Sequence, residues 1–485
     1  MFDVEKSIAE AQEKFNRLAH YVRGEAQHEE AYVVERRLFK EGLKVMLDLL
    51  AAYFEAKEGG DVGRAVEAES GERLPRERLK RRQYLTVFGE LRLRRWYYHE
   101  DGASGLCPLD EEGNLPQRKY SYFVQELLGH RVGRMTYDDA LDEIERLFGF
   151  RLDKHNLEDL AGELARDADA YYVAQGAPPP QTEAEVLVAA LDGKGVPILK
   201  DKPAEHRVRL RKGEKRSRKK EAVVSAVYTI AAQPRTAEEV LREVRDREPL
   251  PARPTPQNKR LRATLKGKAD AFEWVRREVE HRDHEATKHR VCLMDGAPSL
   301  WKLALTTLTG FTFILDLFHA LEYLWKAAYV FHAEGSAEAE AFVRHRLRRL
   351  LEGKVTYVTG GLRQMLTKHQ GTLRKAQRDT LATVIGYYHT NRHWMRYDQY
   401  IAAGYPIGSG AVESACRHLV KERMEGSGMR WTVGGAESVL HLRAVYLNGD
   451  WDAFWAFHRH REAERRFAGR RWAPLPGPEP KRAAA

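Results

Sequence analysis

Residues 185–195 read EVLVAALDGKG, a short apolar run that passes into Asp192 and two nearby glycines. Residues 289–298, HRVCLMDGAP, repeat this arrangement around Asp295. Short apolar runs bounded by charge or glycine are typical of strands that are buried on both faces. Asp-Gly is also a common turn pair, so one instance would indicate only a turn. Two instances in one region favour two strands that end in aspartates, at the edge of an α/β sheet where ligands bind.

Two further apolar runs extend the predicted sheet. Residues 221–232 read EAVVSAVYTIAA, and residues 310–315 read GFTFIL and are followed by Asp316. Helix-like sequence lies between and after the runs, and a proline-rich polar linker at 174–185 precedes them. The pattern therefore predicts an α/β domain that begins near residue 182.

Residues 404–431, GYPIGSGAVESACRHLVKERMEGSGMRW, contain a third acid, Glu413. Ser409 is the expected N-cap of a helix that carries Glu413 in its first turn. An acid in this place also favours the helix dipole without any catalytic role. The glycines around it would let a phosphate approach the backbone closely. Three carboxylates that folding brings together are the oxygen ligands of paired Mg²⁺ ions, so Asp192, Asp295 and Glu413 are candidate metal ligands.

The N-terminal part of the chain alternates helical and β patterns. Apolar residues mark one helix face before about residue 58, and residues 84–98 alternate as a β-hairpin does. A helix is expected from Thr136 to Gly149, and Asp153 is the expected cap of a second helix. Two short helices joined at a glycine form the helix-turn-helix pattern of DNA-binding proteins. A plain helical hairpin fits the same sequence equally well.

Composition limits the class of protein. The chain has 485 residues, of which 43% are hydrophobic and 31% charged, so it can fold around several cores. Three scattered cysteines, Cys107, Cys292 and Cys416, exclude a disulfide framework and an all-cysteine zinc site. No apolar run approaches the roughly 20 residues of a membrane span, and the first 15 residues lack the apolar core of a signal peptide. We therefore expect a protein of the cytoplasm that does not contact membranes.

The positive charge is clustered. Lys and Arg exceed Asp and Glu by 81 − 71 = 10. Basic blocks lie at 207–220 (RVRLRKGEKRSRKK), at 259–268 (KRLRATLKGK) and from residue 459 (RHREAERRFAGRR). Such blocks suit the neutralisation of nucleic-acid phosphates, and solvated loops or tails have the same composition. The candidate DNA-binding residues are Arg207, Arg209, Arg211, Lys212, Lys215, Arg216, Lys219 and Lys220.

Four segments, LDGKGVP, MDGAPSLW, FILDLFHALEYLWKAA and the 404–431 stretch, resemble the DDE transposases of bacterial insertion sequences. The resemblance is to the ISKra group, which is related to the Mutator-like and hAT transposases, and it runs from about residue 78. It implies a ribonuclease-H-like α/β catalytic domain with a helical insertion. Asp192 would lie on the first strand, Asp295 after the fourth, and Glu413 on a later helix. These three would be the catalytic residues and would hold two Mg²⁺ or Mn²⁺ ions.

The resemblance also implies supporting residues. Asp316-Leu317-Phe318-His319 resembles the D/C-x-x-H signature that follows the fifth strand in these transposases, which would place Asp316 and His319 near the acids. Arg423 and Trp431 follow Glu413 and are further supporting candidates. Relatives often carry paired cysteines after the hairpin, whereas Cys107 stands alone here, so no zinc is predicted.

The predicted organisation has seven parts. They are a helical region at 1–75, a β-hairpin with an irregular segment at 76–115, a helix-turn-helix-like DNA-binding region at 116–173, the first part of the catalytic domain at 182–335, a helical insertion at 336–403, the second part of the catalytic domain at 404–458, and a basic tail at 459–485.

The expected function is metal-dependent cleavage at transposon ends, followed by strand transfer into target DNA. The expected partners are the terminal repeats, target DNA and further copies of the chain in a homodimer or higher homo-oligomer. The expected location is the bacterial cytoplasm, in association with the nucleoid. A structure-directed nuclease with the same fold, or a non-catalytic DNA-binding protein derived from a transposase, would share most of these features.

Overall fold

The computed structural model describes residues 2–199, 217–246, 253–285, 288–408, 410–426, 428–468 and 471–474. The chain is a mixed α/β protein and divides into two compact units. One unit comprises Met1–Tyr171 and Asp450–Ala485, and the other comprises Tyr172–Gly449. No helix in these described ranges is both long enough and apolar enough to cross a membrane.

The first unit begins with two long helices and a three-stranded antiparallel arrangement, followed by shorter helices. The elements are α1 (Val4–Arg23), α2 (Ala31–Ala56), β1 (Ala65–Ala68), β2 (Arg73–Thr86), β3 (Gly89–Tyr98), α3 (Pro108–Glu112), α4 (Tyr122–Val132), α5 (Tyr137–Phe148), α6 (Lys154–Ala165) and α7 (Ala168–Gln175), the last of which runs into the second unit. A short 3₁₀ helix, Glu25–His28, lies between α1 and α2.

Local sequence signals specify several of these elements. The β2–β3 hairpin is confirmed, but its first strand begins at Arg73, which is earlier than predicted. The helix pair is also confirmed. Thr136 accepts a hydrogen bond from the backbone N–H of Asp139 at the start of α5, and Gly149 ends α5 in the left-handed conformation. Asp153 caps α6 through the N–H of His155.

The second unit contains a five-stranded sheet and many helices. Its elements are β4 (Val186–Leu199), β5 (Ser217–Ile230), α8 (Ala237–Leu241), β6 (Gln257–Thr264), α9 (Lys268–Arg282), β7 (His289–Met294), α10 (Pro298–Thr307), β8 (Thr312–Leu315), α11 (Leu317–Phe331), α12 (Ala337–Leu351), α13 (Val355–Lys368), α14 (Lys375–Asn391), α15 (Tyr397–Ala402), α16 (Gly410–Ala415), α17 (Glu422–Met424) and α18 (Val433–Asn448). Short 3₁₀ helices lie at Pro180–Thr182 and Arg392–Trp394, and π-helical turns lie at Arg242–Asp246 and Cys416–Lys421.

The strand order of this sheet is β6-β5-β4-β7-β8. The pairs β4–β5 and β5–β6 are antiparallel, whereas β4–β7 and β7–β8 are parallel. Residues 186–191 of β4 and 291–294 of β7 are buried, as expected for strands inside a sheet with covered faces. The stretch predicted as a helical insertion is helical throughout α12 to α15.

The chain then returns to the first unit through α19 (Trp451–Phe467) and β9 (Trp472–Pro474). Strand β9 pairs with β1, which gives a second sheet of order β3-β2-β1-β9. The structure therefore differs from the predicted basic tail at 459–485, because residues 459–467 continue a helix. Trp451, Phe454 and Trp455 are buried on one side of that helix, and this burial keeps it in place.

Candidate functional site

The register of the parallel strands brings three aspartates near one another. Strand β4 pairs with β7 from Val186 opposite His289 to Ala190 opposite Leu293, a constant offset of 289 − 186 = 103 residues. The same offset separates Asp192 from Asp295, two residues beyond the last β4–β7 pair, since 295 − 192 = 103. Strand β7 pairs with β8 up to Met294 opposite Leu315, so Asp295 and Asp316 are the residues that directly follow these two strands. Neighbouring strands lie about 4.8 Å apart, so the three backbone positions are near one another in the sheet.

Asp192 lies within a strand and not at its end. The prediction that the strand stops at Asp192 is wrong, because β4 continues to Leu199. A Cβ atom on Gly193 would lie 2.5 Å from Oε1 of Glu221 on the neighbouring strand. A Cβ atom on Gly195 would lie 2.9 Å from Cδ of Lys219. These glycines therefore make room for β5 side chains, and they do not form the turn that Asp-Gly suggests.

Both carboxylate oxygens of Asp192 accept hydrogen bonds. Oδ1 accepts from the N–H of Gly193 at 2.7 Å, and Oδ2 accepts from the thiol of Cys416 at 3.2 Å. Cys416 is buried and lies directly after α16, the helix of Glu413. These bonds hold the carboxylate in one orientation.

Asp295 follows β7 at the start of a tight connection to α10. Its Oδ1 accepts from the N–H of Ala297 at 2.8 Å, and its carbonyl accepts from the hydroxyl of Tyr387 at 2.9 Å. Gly296 has φ +90°, and a Cβ there would lie 2.8 Å from Cδ1 of Leu315. Tyr387 stacks on Tyr323 with ring centroids 3.7 Å apart. The pKa of Tyr323 is raised, mainly by burial and to a smaller extent by the negative charge of Asp295.

Asp316 is fully buried and caps a helix. Its Oδ1 accepts hydrogen bonds from the N–H groups of Phe318 at 2.7 Å and His319 at 3.1 Å, at the start of α11. Its own N–H donates to the carbonyl of Met294 at 2.9 Å, which continues the β7–β8 ladder. His319 lies half-buried in the first turn of α11. Asp316 therefore fixes the position of the His319 backbone at the start of α11.

Glu413 lies on α16 and is exposed. It precedes Cys416 by three residues, a spacing that places two side chains on one helix face. Burial raises the pKa of the Cys416 thiol, and the negative charges of Asp192 and Glu413 raise it further. Glu413 therefore lies on the same side of its helix as the contact with Asp192. The predicted N-cap, Ser409, lies outside the described residues.

The helix changes its winding immediately after this contact. Residues Cys416–Lys421 form a π-helical turn before α17 continues the helix. Isolated π turns of this kind are frequent at functional sites, because they reorient side chains that a regular helix would place elsewhere.

Arg423 and Trp431 connect this helix to the strand of Asp192. The guanidinium carbon of Arg423 lies 5.0 Å from the centroid of the Trp431 ring. The indole N–H of Trp431 donates to the carbonyl of Met424 at 3.1 Å. The Trp431 backbone accepts from the N–H of Leu199 at 2.9 Å and donates to the carbonyl of Pro197 at 3.1 Å. Trp431 therefore lies beside the extension of β4 beyond Asp192, and Arg423 lies against its ring.

The donor set of the three acids fits divalent cations. Within the described ranges, none of Asp192, Asp295 and Glu413 forms an ion pair with Lys, Arg or His. Their ligand atoms do not all lie within 4.8 Å of one another. Ligands of a two-ion site need not do so, because the outer ligands bind different ions that lie roughly 3.5–4 Å apart.

A second group of acidic and histidine side chains has its potential ligand atoms closer together than those of Asp192, Asp295 and Glu413. Asp167, His458 and Glu462 are the one group of three potential ligands within 4.8 Å that occurs among the residues the structure describes. Arg465 donates to both oxygens of Asp167, at 2.7 and 2.5 Å, and Nδ1 of His458 lies 2.7 Å from Oδ2. Burial raises the pKa of Asp167, but the bonds from Arg465 and His458 outweigh it and hold the pKa well below its usual range. The arginine already supplies the positive charge, so this cluster is a structural ion-pair network.

The predicted DNA-binding block is described only in part. Arg207, Arg209, Arg211, Lys212, Lys215 and Arg216 lie outside the described residues. Lys219 is exposed on β5 and pairs with Glu425, with Nζ 2.6 Å from Oε1. Lys220 is half-buried on the same strand.

The other two basic blocks are folded into the protein. Arg260 and Arg262 are buried on β6 and pair with Glu278 at 3.0 Å and Asp270 at 2.8 Å. The prediction of a phosphate-binding block at 259–268 is therefore wrong for these arginines, because carboxylates of the same unit neutralise them. In the C-terminal block, Arg465 pairs with Asp167, and Arg466 lies 3.0 Å from Asp110.

A basic surface that the sequence reasoning missed lies on the β2–β3 hairpin. Residues 73–98 contain nine Lys or Arg against two acids, Glu77 and Glu90. Lys80 stands opposite Arg95, and Arg81 opposite Arg94. Like charges directly opposite one another destabilise a sheet, and carboxylates of the same chain compensate for part of this charge, since Arg94 lies 2.5 Å from Glu55. The signal was present in the sequence, since residues 76–82 (RERLKRR) contain five Lys or Arg in seven positions.

The two faces of the hairpin differ. On one face Arg95 and Arg82 lie 2.5 and 3.6 Å from Asp110, within the fold. On the other face Arg81 and Arg92 are exposed and form no ion pair within the part of the chain that the structure describes. These two arginines are available to a polyanion.

Comparison of the sequence with models of protein families finds no match, and comparison with curated proteins finds none.

Proposed function

We propose that this protein is a DNA transposase of the DDE type, which cleaves DNA at the ends of a mobile element and joins the freed 3′ ends to target DNA. The observation that carries the proposal is that Asp192 lies on β4, that Asp295 directly follows the adjacent parallel strand β7, and that Cys416, directly after the Glu413 helix, donates a hydrogen bond to Asp192. Carboxylates that converge from distant parts of a chain are what metal-assisted phosphoryl transfer requires.

The sheet supports a ribonuclease-H-like assignment of the second unit. In chain order its strands are arranged 3-2-1-4-5, with the first three antiparallel and the last two parallel to the first. The first and fourth strands are then neighbours; Asp192 lies on the first, and Asp295 directly follows the fourth. The long helical segment α12–α15 lies between the fifth strand and the Glu413 helix, as the resemblance implies.

In this proposal Asp192, Asp295 and Glu413 hold two Mg²⁺ or Mn²⁺ ions. Bound ions of this kind neutralise phosphate charge and activate the attacking oxygen. The protein supplies the positioning. The N–H of Gly193 and the thiol of Cys416 orient Asp192, and the N–H of Ala297 orients Asp295. Partners that orient metal ligands in this way commonly affect activity 10- to 100-fold.

DNA binding in the proposal draws on the hairpin and on the predicted basic block at 207–220. Arg81 and Arg92 are exposed on a two-stranded ribbon, a shape that the major groove of DNA accommodates. Contacts of arginine with phosphates position DNA without reading its sequence. We therefore assign to the hairpin a contribution to affinity, and leave recognition of the element's ends to the helical region at 116–173.

The test uses a plasmid that carries the DNA flanking the protein's own gene on both sides, together with a second target plasmid. Wild-type protein should produce cleaved ends and joined products in Mg²⁺ or Mn²⁺ and none in EDTA. Asp192→Asn, Asp295→Asn and Glu413→Gln should each reduce both products by at least 100-fold. Glu334→Gln, at an exposed acid of the same unit, is the matched control and should retain activity.

The other outcomes discriminate between functions. Cleavage without joined product would favour a structure-directed nuclease. DNA binding without cleavage in either metal would favour a non-catalytic derivative. Full activity of Asp192→Asn would overturn the assignment of the site.

A further inference from the structure

Helices α12 and α13 enclose a cavity that the proposed reaction does not use. Its volume is about 270 Å³, near the lower end of the roughly 300–1,000 Å³ of small-molecule sites. Helix α12 contributes His345, Arg346 and Arg349 to its lining, and α13 contributes Tyr357 and Gln364. None of the described residues that line the cavity is acidic. Its charge therefore suits a small anionic ligand.

Arg346 is the arginine of α12 that has no carboxylate partner among the residues the structure describes. The other three arginines of this helix each form an ion pair, Arg344 with Asp246, Arg348 with Glu238 and Arg349 with Glu352. A cation that is partly removed from water costs free energy unless an anion compensates for it. The exception in this helix is thus also the arginine that lines the cavity.

The neighbours of Arg346 within the chain are neutral. Its guanidinium donates to the carbonyl of Phe342 at 3.2 Å and to the sulfur of Met365 at 3.1 Å. The guanidinium carbon lies 3.4 Å from the centroid of the Phe342 ring. Burial lowers the pKa of Arg346, as expected for a cation that lacks a nearby carboxylate. A guanidinium has five N–H donors, so these contacts position the group and leave donors for a ligand.

Two adjacent glycines in the middle of α13 keep the cavity open. Gly360 and Gly361 lie well inside a helix that runs from Val355 to Lys368. Glycine in a helix interior costs about 1 kcal/mol relative to alanine. A Cβ atom at either position would meet no described atom within 4 Å outside its own surroundings in the helix. Packing against other residues therefore does not require these glycines, and the space beside them is available to a ligand.

Tyr357 presents an aromatic surface at the same cavity. Its side chain is 63% exposed, and it precedes Gly361 by four residues and Gln364 by seven, so the three share one face of α13. The guanidinium carbon of Arg349 lies 5.5 Å from the centroid of the Tyr357 ring. Nε of Arg349 is buried and has no hydrogen-bond partner in the described part of the chain. Aromatic rings and guanidinium planes both stack on nucleobases.

We propose that the cavity between α12 and α13 binds a free nucleotide, whose phosphate contacts Arg346 and whose base stacks on Tyr357. A nucleotide combines the two features that the cavity accommodates, an anionic group and a flat aromatic ring. The amide of Gln364 offers both a donor and an acceptor for the edge of the base. The inference rests on this cavity alone, and it holds or fails independently of the proposed transposition.

The first experiment is isothermal titration calorimetry of the full-length protein with AMP, GMP, CMP and UMP, and with inorganic phosphate and the nucleosides as partial ligands. At least one nucleotide should bind with micromolar affinity, and at least tenfold more tightly than phosphate or its own nucleoside. Arg346→Met should weaken that binding tenfold or more, because charge-assisted hydrogen bonds to the phosphate are lost. Arg348→Met, the same substitution at a paired arginine of the same helix, should leave it unchanged. The absence of nucleotide binding, or equal losses in the two variants, would overturn the proposal.

The second experiment separates the cavity from the rest of the protein. Gly361→Leu places a side chain in the cavity and favours the helix, so it should abolish nucleotide binding without lowering the melting temperature. Tyr357→Leu should weaken nucleotide binding about tenfold and leave the binding of inorganic phosphate unchanged. Duplex DNA should not displace the nucleotide. Wild-type affinity in Gly361→Leu, or displacement by DNA that requires Arg346, would overturn the assignment of a free nucleotide to this cavity.

Discussion

The thiol of Cys416 donates a hydrogen bond to Oδ2 of Asp192 across 3.2 Å, although the residues are 224 positions apart in the chain. This bond joins the strand of the first aspartate to the helix that carries Glu413. Cys416 is therefore a positioning residue, and its thiol must stay protonated in order to donate. Burial and the charges of Asp192 and Glu413 raise its pKa, so the proton is retained at neutral pH.

Replacement of Cys416 should reveal this positioning role. We expect Cys416→Val to lower metal-dependent cleavage 10- to 100-fold, because one oxygen of Asp192 loses its donor. Cys416→Ser keeps a donor and should recover much of the activity. The measurement is the cleavage rate against Mn²⁺ concentration, in which Cys416→Val should require more metal. Equal rates for the valine and serine variants would contradict the role.

Alkylation should distinguish the cysteines. Iodoacetamide reacts with accessible thiolates. Burial raises the pKa of all three thiols, and Cys416 and Cys292 are in addition buried away from the reagent. Only Cys107 is partly accessible, so it should react first in the native protein at pH 8. Peptide mass mapping after timed labelling provides the measurement. Rapid labelling of Cys416 before unfolding would show that its contact with Asp192 opens readily.

Metal binding should be detectable without catalysis. Ligands that bind only the folded state raise its stability by RT ln(1 + [L]/Kd), about 2.7 kcal/mol at 100 times Kd. Millimolar Mn²⁺ should therefore raise the melting temperature of the wild type, and the rise should be lost in Asp295→Asn and in Glu413→Gln. Asp167→Asn, in the arginine-bound cluster, should retain the Mn²⁺ effect. Loss of the effect only in Asp167→Asn would place the metal site there instead.

Charge reversal on the hairpin should weaken DNA binding. Arg81→Glu and Arg92→Glu should each lower the affinity for duplex DNA of any sequence. The slope of the logarithm of the binding constant against the logarithm of salt concentration should also fall by about one for each lost phosphate contact. Fluorescence anisotropy at several salt concentrations measures both quantities. Lys375→Glu, an exposed cation on α14, serves as the control. Equal losses in the control and the hairpin variants would remove the hairpin from the DNA interface.

The Asp167 network should contribute to stability in a defined pH range. Its folded pKa lies below the unfolded value of about 4, so the stabilisation is present above pH 4 and is lost as the pH falls through the folded pKa. Asp167→Asn leaves Arg465 and His458 without their carboxylate and should cost about 3 kcal/mol at pH 7. Urea unfolding measures the free energy of unfolding of both proteins from pH 3 to pH 8. The difference between Asp167→Asn and the wild type should be constant above pH 5 and smaller at pH 3.

The elements whose signals are local could be predicted from the amino-acid sequence. The apolar runs at 186–191 and 289–294, the hairpin turn before Gly89, and the caps Thr136 and Asp153 were all predictable. Strand burial, turn geometry and capping depend on residues within a few positions of each other, so a single sequence contains the relevant information.

Which distant residues contact one another depends on the packing of the folded chain. Strand β4 continues past Asp192 because Gly193 and Gly195 leave space for the side chains of Glu221 and Lys219 on β5. The Asp-Gly pair alone predicts a turn and contains no information about the neighbouring strand. Arg260 and Arg262 resembled a solvated basic block until the fold placed Glu278 and Asp270 beside them. The proximity of Asp192 and Asp295 in the sheet, and the bond from Cys416, likewise follow from strand register and helix packing. Contacts between residues a hundred or more positions apart are set by how the whole chain packs, and no local pattern encodes them.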